Sequence, residues 1–199
     1  MRTRVKICGV TNKKDAFLAA DLGAFAIGFV FYLGSKRFIS PEEVKVITSG
    51  LPPFIAKVGV FVATPPEEIV QVKDHCGLDR IQVYDALISD ISRYIDPASI
   101  IAAHRIATKE DVEDTKKIPY FPLFDSKKDG VWGGSGMPFS WELLNDFSEP
   151  YILAGGIGPD NVDEALKLMP YGIDISSGVE GSPGKKDPEK MRALFESLQ

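Results

Sequence analysis

The chain predicts a parallel α/β fold, and three observations predict it. Eight short segments rich in Ile, Val, Phe and Tyr each end at a glycine or a polar turn. They recur about every 24 residues, enough for a strand, a loop and the crossover helix that joins parallel strands. Helix starts with capping chemistry stand between them. Alternating β and α elements imply a parallel sheet. Eight of them point to a single closed (β/α)8, or TIM, barrel of near-minimal length, with an open doubly wound sheet as the structural alternative.

The strands are read at 4–8, 24–31, 54–62, 79–84, 99–106, 120–125, 151–154 and 171–176. Asn12 with Asp15 opens the first helix. Ser40-Pro41-Glu42-Glu43 sets Ser at the N-cap, Pro at the first helical position and Glu at the third, a capping box with a proline start. Thr64-Pro65-Pro66-Glu67 repeats that arrangement. Thr108 with Asp111 opens a helix after the fifth strand, Gly158-Pro159 one after the seventh, and Asp187-Pro188 the last. The intervals at Ser89 to Tyr94 and Trp141 to Phe147 carry only weak helical signals. No linker or low-complexity tract divides the chain, so residues 1–199 are expected to form one domain.

Composition narrows the function. A chain of 199 residues buries roughly 70% of its unfolded surface and needs no disulfide or metal staple. Cys8 and Cys76 make no disulfide framework. The net charge of −5 argues against nucleic acid, which calls for a basic face. The longest apolar run, 24–33, is interrupted by Gly28 and reaches about half of the roughly twenty residues a membrane span needs. Met1-Arg2-Thr3-Arg4 leads straight into a strand with no apolar leader, so a cytoplasmic location without membrane partners is expected.

In a barrel, function belongs at the C-terminal ends of the strands. Alternation along the first strand turns Val5 and Ile7 toward the helices, and Arg4, Lys6 and Cys8 toward the axis. Cys8 then sits at the mouth, although a lone strand cysteine serves equally as a small buried hydrophobe. Cys76, at a helix end, reads as structural. Asp125 follows four largely apolar residues, where desolvation raises a carboxyl pKa; a turn or N-cap aspartate would look the same. Arg37 offers a planar fork for a carboxylate, or else half of a solvated Lys36-Arg37 pair. Glycines cluster late, at Gly133-Gly134-Ser135-Gly136, Gly155-Gly156 and Ser177-Gly178. Their backbone N–H groups suit an anion, and loops seven and eight often hold phosphate in such barrels. The run from Gly156 to Asn161 fails the dinucleotide pattern, since Asn161 stands where a third Gly or Ala belongs. His75 and His104 are the only histidines, so no metal site is expected.

Together these residues resemble a known family. Lys6-Ile7-Cys8-Gly9, Gly28-Phe29-Val30-Phe31 with Ser35-Lys36-Arg37, Val58-Gly59-Val60-Phe61, Asp125-Ser126, Gly133-Gly134-Ser135-Gly136, the run from Asp174 to Glu180, and Pro183-Gly184-Lys185-Lys186-Asp187 resemble the phosphoribosylanthranilate isomerase family of tryptophan biosynthesis. The resemblance covers nearly the whole chain and lies in the order and spacing of the pieces. It implies an Amadori rearrangement of N-(5'-phosphoribosyl)anthranilate without cofactor. Asp125 would be the general acid and Cys8 the general base. Arg37 and Gln82 would lie on the anthranilate side. Gly133, Gly134, Ser135, Gly155, Gly156, Ser177 and Gly178 would hold the phosphate.

Two supporting expectations follow. Lys6, with Arg4 and an inward Lys57, is expected to favour the Cys8 thiolate, and Asp174 is the partner expected for an inward lysine. One departure stands out. The family usually reads Gln-x-His-Gly at the end of the fourth strand, where this chain has Gln82-Val83-Tyr84-Asp85. The fifth strand ends in Ala103-His104-Arg105, also unexpected. Both are read at the mouth, where Asp85 would repel a substrate carboxylate unless paired, with Arg105 as the candidate. The alternatives are an isomerase like that of histidine biosynthesis, which uses two aspartates and is disfavoured by Cys8, and a non-catalytic barrel binding a phosphometabolite. The expected partner is one small phosphorylated molecule, on a monomer or homodimer.

Overall fold

Alternation along eight strands sends one set of side chains to the barrel axis and the other under the helices, and both cores are present. The computed structural model describes residues 3–84, 88–126 and 139–198. The strands β1 (Arg4–Ile7), β2 (Ala26–Val30), β3 (Ala56–Val62), β4 (Arg80–Tyr84), β5 (Ile100–Ile106), β6 (Phe121–Ser126), β7 (Ile152–Leu153) and β8 (Gly172–Ile175) pair in sequence order. β8 closes on β1 in parallel, with Lys6 beside Asp174 and Ile7 beside Ile175. A hairpin of β9 (Glu180–Ser182) and β10 (Lys185–Lys186) follows. The inner core includes Cys8, Val30, Val58, Val60, Val62, Tyr84, Ile101 and Leu123. Val5, Ile7, Ile27, Phe29, Ile81 and Phe124 pack outward against the helices.

Local chemistry sets the helix ends. α1 (Lys13–Leu22) begins where Asn12 accepts from the Asp15 N–H and stops at left-handed Gly23. α2 (Pro41–Thr48) carries the full Ser40–Glu43 capping box. α3 (Pro66–Cys76) departs from the expectation: Pro65 occupies the N-cap position, no side chain caps the helix, and the Thr64 hydroxyl donates to the Val62 carbonyl. The second proline at the first helical position moves the start one residue past the threonine. α4 (Ile88–Ile91) is a single turn followed by a 3-10 turn at Pro97–Ser99. α5 (Lys109–Thr115) has its Thr108–Asp111 box.

Between β6 and β7 the described residues hold one 3-10 turn, Trp141–Leu144. α6 (Val162–Lys167) begins later than Gly158-Pro159 suggests. Asn161 binds back into the loop, accepting from the Gly158 N–H and donating to the Gly156 carbonyl. α7 (Pro188–Ser197) is capped by Asp187. Cys76 ends α3 buried, with its thiol donating to the Pro41 carbonyl at 3.3 Å. No described helix is long and apolar enough to cross a membrane.

His104 is placed differently from expectation. It alternates with inward Ala103 and packs on the outer face, its ring tilted 6.3 Å from that of outward Phe124. It is therefore no part of the mouth. Burial pushes its pKa down to about 4. Between pH 6.5 and about 4 the unfolded chain takes up this proton and the folded chain does not, so stability falls as pH falls through that window. The loss is expected to reach about 3 kcal/mol near its lower end. Urea denaturation of the native protein and of His104→Leu, at both ends of the window, measures it as the acid sensitivity that the variant lacks.

Candidate active site

The first strand supplies the base of the site because alternation turns Lys6 and Cys8 to the axis. Lys6 is 5% exposed. Its ammonium group meets both oxygens of Asp174, at 2.8 and 2.9 Å, and Gln82 Oε1 at 2.9 Å. Cys8 is its remaining partner. A Cβ on Gly28 of the neighbouring strand would stand 2.8 Å from Cys8 Sγ and 3.1 Å from Lys6 Nζ, so only glycine leaves room for the pair.

Cys8 itself is raised above its ordinary 9.0, by burial first and by the Asp174 carboxylate second, against the pull of Lys6. Lys6 does favour the thiolate, as expected, but burial and Asp174 outweigh it. Lys57 does not contribute. Val58, Val60 and Val62 take the inward positions of β3, and Lys57 is paired with Asp79 at 3.5 Å. Arg4 stacks on Tyr171 at the opposite end of the barrel.

Asp125, 3% exposed, lies on the inward face of β6. Its Oδ1 accepts from the Ser126 N–H at 2.8 Å and its Oδ2 from the Tyr84 hydroxyl at 2.9 Å. Burial raises its pKa above 3.8 even against these two bonds, which favours the protonated acid. Arg37 reaches the same pocket from the loop after β2. Glu180 holds it in a fork, with Nε and Nη2 donating to the carboxylate at 2.8 and 2.7 Å. Lys186 donates to Glu180 Oε1 at 2.9 Å, so one buried carboxylate carries two cations. Burial alone would raise Glu180; these cations bring it below its ordinary value.

Cys8, Arg37, Gln82, Asp125, Gly155, Gly156, Asp174 and Ser177 line one pocket at the C-terminal mouth, together with Tyr84 and Ser176. Gly155 and Gly156 take left-handed backbone, φ 86° and 72°, the conformation that turns successive N–H groups to one side. Gly178 packs beside them, where any Cβ would collide with the Ile157 carbonyl oxygen. The loops after β7 and β8 therefore touch through bare backbone. Gly133, Gly134, Ser135 and Gly136 lie outside the described residues, as does Asp85.

Sequence reasoning passed over two residues here. Glu180 stood inside a quoted run without a role. Tyr84 was read as a departure, and its bond to Asp125 spans 41 positions. A strand-end phenol two residues after an inward glutamine was the one local signal.

A buried carboxyl and a buried thiol at the mouth of a closed (β/α)8 barrel, with a braced guanidinium beside them, make a barrel protein whose site is suited to acid–base chemistry. Comparison with known proteins gives the family. A sequence model described as N-(5'-phosphoribosyl)anthranilate (PRA) isomerase matches residues 5–197. The N-(5'-phosphoribosyl)anthranilate isomerase of Magnetococcus marinus is 43% identical over 204 residues, covering 100% of this chain and 96% of that one. The crystal structure of phosphoribosyl anthranilate isomerase from Thermotoga maritima superposes with a TM-score of 0.89 at 36% identity, over 98% of each chain. A phosphoribosyl anthranilate isomerase in complex with reduced 1-(o-carboxyphenylamino)-1-deoxyribulose 5-phosphate superposes with a TM-score of 0.86, again at 36% identity over 98% of each chain. The chain belongs to the N-(5'-phosphoribosyl)anthranilate isomerase family.

Proposed function

We propose that the barrel converts N-(5'-phosphoribosyl)anthranilate to 1-(2-carboxyphenylamino)-1-deoxyribulose 5-phosphate, the third step of tryptophan synthesis from chorismate, with Asp125 as acid and Cys8 as base. The observation that carries the assignment is their presence, both buried, at the ends of β1 and β6 in one pocket that Arg37 also lines. Asp125 donates its proton to the furanose ring oxygen while the bond from that oxygen to C1' breaks. The anthranilate nitrogen lone pair forms the C1'=N iminium. Cys8, as thiolate, takes the C2' proton, and the released electron pair forms C1'=C2' and returns charge to nitrogen. Protonation at C1' and loss of the C2' hydroxyl proton then give the ketone, an isomer of the starting material.

The iminium also answers the high Cys8 pKa, since a cation beside sulfur favours the thiolate. Arg37 is the group for the anthranilate carboxylate, presented as a planar fork by Glu180. Gln82, expected on that side, lines the same pocket with its amide engaged by Lys6 and Tyr84. Gly155, Gly156, Ser177 and Gly178, with Gly133, Gly134 and Ser135, are the phosphate loops. Lys6 and Asp174 support the base.

The test is the loss of phosphoribosylanthranilate fluorescence on adding the purified protein. Multiple turnovers are expected. No turnover, with inorganic phosphate still bound, would move the pocket to another substrate.

The opposite end of the barrel supports a homodimer as the working form. Phe54, in the loop before β3, is 94% exposed, and Phe25, Met169 and Tyr171 are exposed at the same end. A cavity of about 260 Å³ opens there between Phe25, Ala56, Ile101, Ile152 and Tyr171. A protruding ring and an apolar hollow on one face are self-complementary about a twofold axis. Sedimentation equilibrium is expected to give twice the 21.8 kDa chain mass, and Phe54→Asp the single mass.

A further inference from the structure

Between the proposed base and the proposed acid runs a line of buried polar side chains whose hydrogen bonds all run one way, toward the acid. An ammonium group is donor only. The Gln82 amide atom 2.9 Å from Lys6 Nζ must therefore be the oxygen, which fixes the amide orientation. Gln82 Nε2 then faces the Tyr84 hydroxyl oxygen at 3.2 Å and donates to it. The same hydroxyl donates to Asp125 Oδ2 at 2.9 Å. With Cys8 on Lys6 at one end, the line joins the thiol to the carboxyl across the barrel.

We propose that Tyr84 is a positioning residue for the acid, donating to Asp125 and itself held by Gln82 and Lys6, so that the base end and the acid end of the site form one frame. This rests on the acid role proposed for Asp125. Two consequences follow from the geometry. The carboxyl plane is pinned from both sides, by Tyr84 on Oδ2 and by the Ser126 N–H on Oδ1. The acidic proton is left to the remaining lone pairs. A hydroxyl already committed as donor has no use for that proton, so it is kept for the ligand. Burial and the neighbouring Asp125 push the phenol well above its ordinary value of 10.0, so the donor persists wherever the enzyme works.

The experiment measures kcat and KM across about pH 5 to 10 for the native protein, Tyr84→Phe, Gln82→Met, their double variant and Asp125→Asn. Phe keeps the buried ring and removes only the hydroxyl. Tyr84→Phe is expected to lower kcat roughly 10- to 100-fold, the equivalent of one hydrogen bond to a charged group, with KM within about twofold. The acidic limb of kcat/KM, where Asp125 titrates, moves to higher pH because the carboxylate loses a donor. Gln82→Met shifts the limb the same way. The double variant falls no further than Tyr84→Phe, because both act through one bond. An unmoved acidic limb in Tyr84→Phe, or single losses that multiply in the double variant, would overturn the proposal. Turnover retained by Asp125→Asn would instead sink the acid assignment itself. Loss in Asp125→Asn beside a native profile in Tyr84→Phe removes only the role of Tyr84.

Discussion

Asp125→Asn and Cys8→Ser are each expected to lower kcat/KM for phosphoribosylanthranilate by about 10²- to 10⁴-fold, the usual worth of a positioned acid or base. Inorganic phosphate should bind all three proteins alike, because both changes are isosteric and leave the glycines of the loops after β7 and β8 in place. The pair also carries a pH signature. Cys8 is raised above 9.0 by burial and Asp174. Its alkylation by iodoacetamide in the free enzyme should rise with pH and reach half its limit above that value. A half-point below 9.0 would mean that Lys6 dominates after all. Asp125 is raised from 3.8 by burial, so burial favours the working carboxylic acid while it opposes the working thiolate. Retained turnover in either variant would move its catalytic role elsewhere in the pocket.

The largest effect on stability is expected at Asp174→Ala, about 3–5 kcal/mol, because it strands the Lys6 charge inside the barrel. The pair is buried on both sides, at 5% and 6% side-chain exposure, with a 2.8 Å contact. Solvent cannot replace the lost carboxylate. The double variant Lys6→Met/Asp174→Leu removes both charges and should recover most of that loss. Urea denaturation of the two variants beside the native protein separates the cost of an unpaired charge from the net worth of the pair. Equal losses in both would show that packing at these positions matters more than charge.

Much of this was legible because strand and helix signals are local. Short apolar runs with polar ends located all eight strands, and the Ser40, Thr108, Asn12 and Asp187 caps mark their helices as read. The faces were harder. β3 runs Val58-Gly59-Val60-Phe61-Val62, apolar on both sides because both are covered, so parity is silent and Lys57 was turned inward. β5, with paired Ile and paired Ala before His104, hides its phase in the same way.

In the site, residue types were enough to select Cys8, Arg37 and Asp125, and a lysine–aspartate partnership could be named for Lys6 and Asp174. What these groups do to one another was not legible. Beyond burial, the Cys8 thiol answers to a carboxylate 166 positions away, and the Asp125 carboxyl to a tyrosine on another strand. Long-range electrostatics of that kind appears only once the barrel is closed.

That closure has a consequence in time. Lys6 lies in the first strand to leave the ribosome, and its counterion is 168 residues later; Arg37 waits 143 residues for Glu180. At about 5–20 residues per second, Lys6 spends roughly 10–30 s of synthesis without the carboxylate that allows its burial. A nascent chain lacking the last strand and its hairpin therefore keeps that lysine in water and its β1 edge open. The last strand and its hairpin deliver the partners of both Lys6 and Arg37, so sealing the barrel and assembling the pocket are one event.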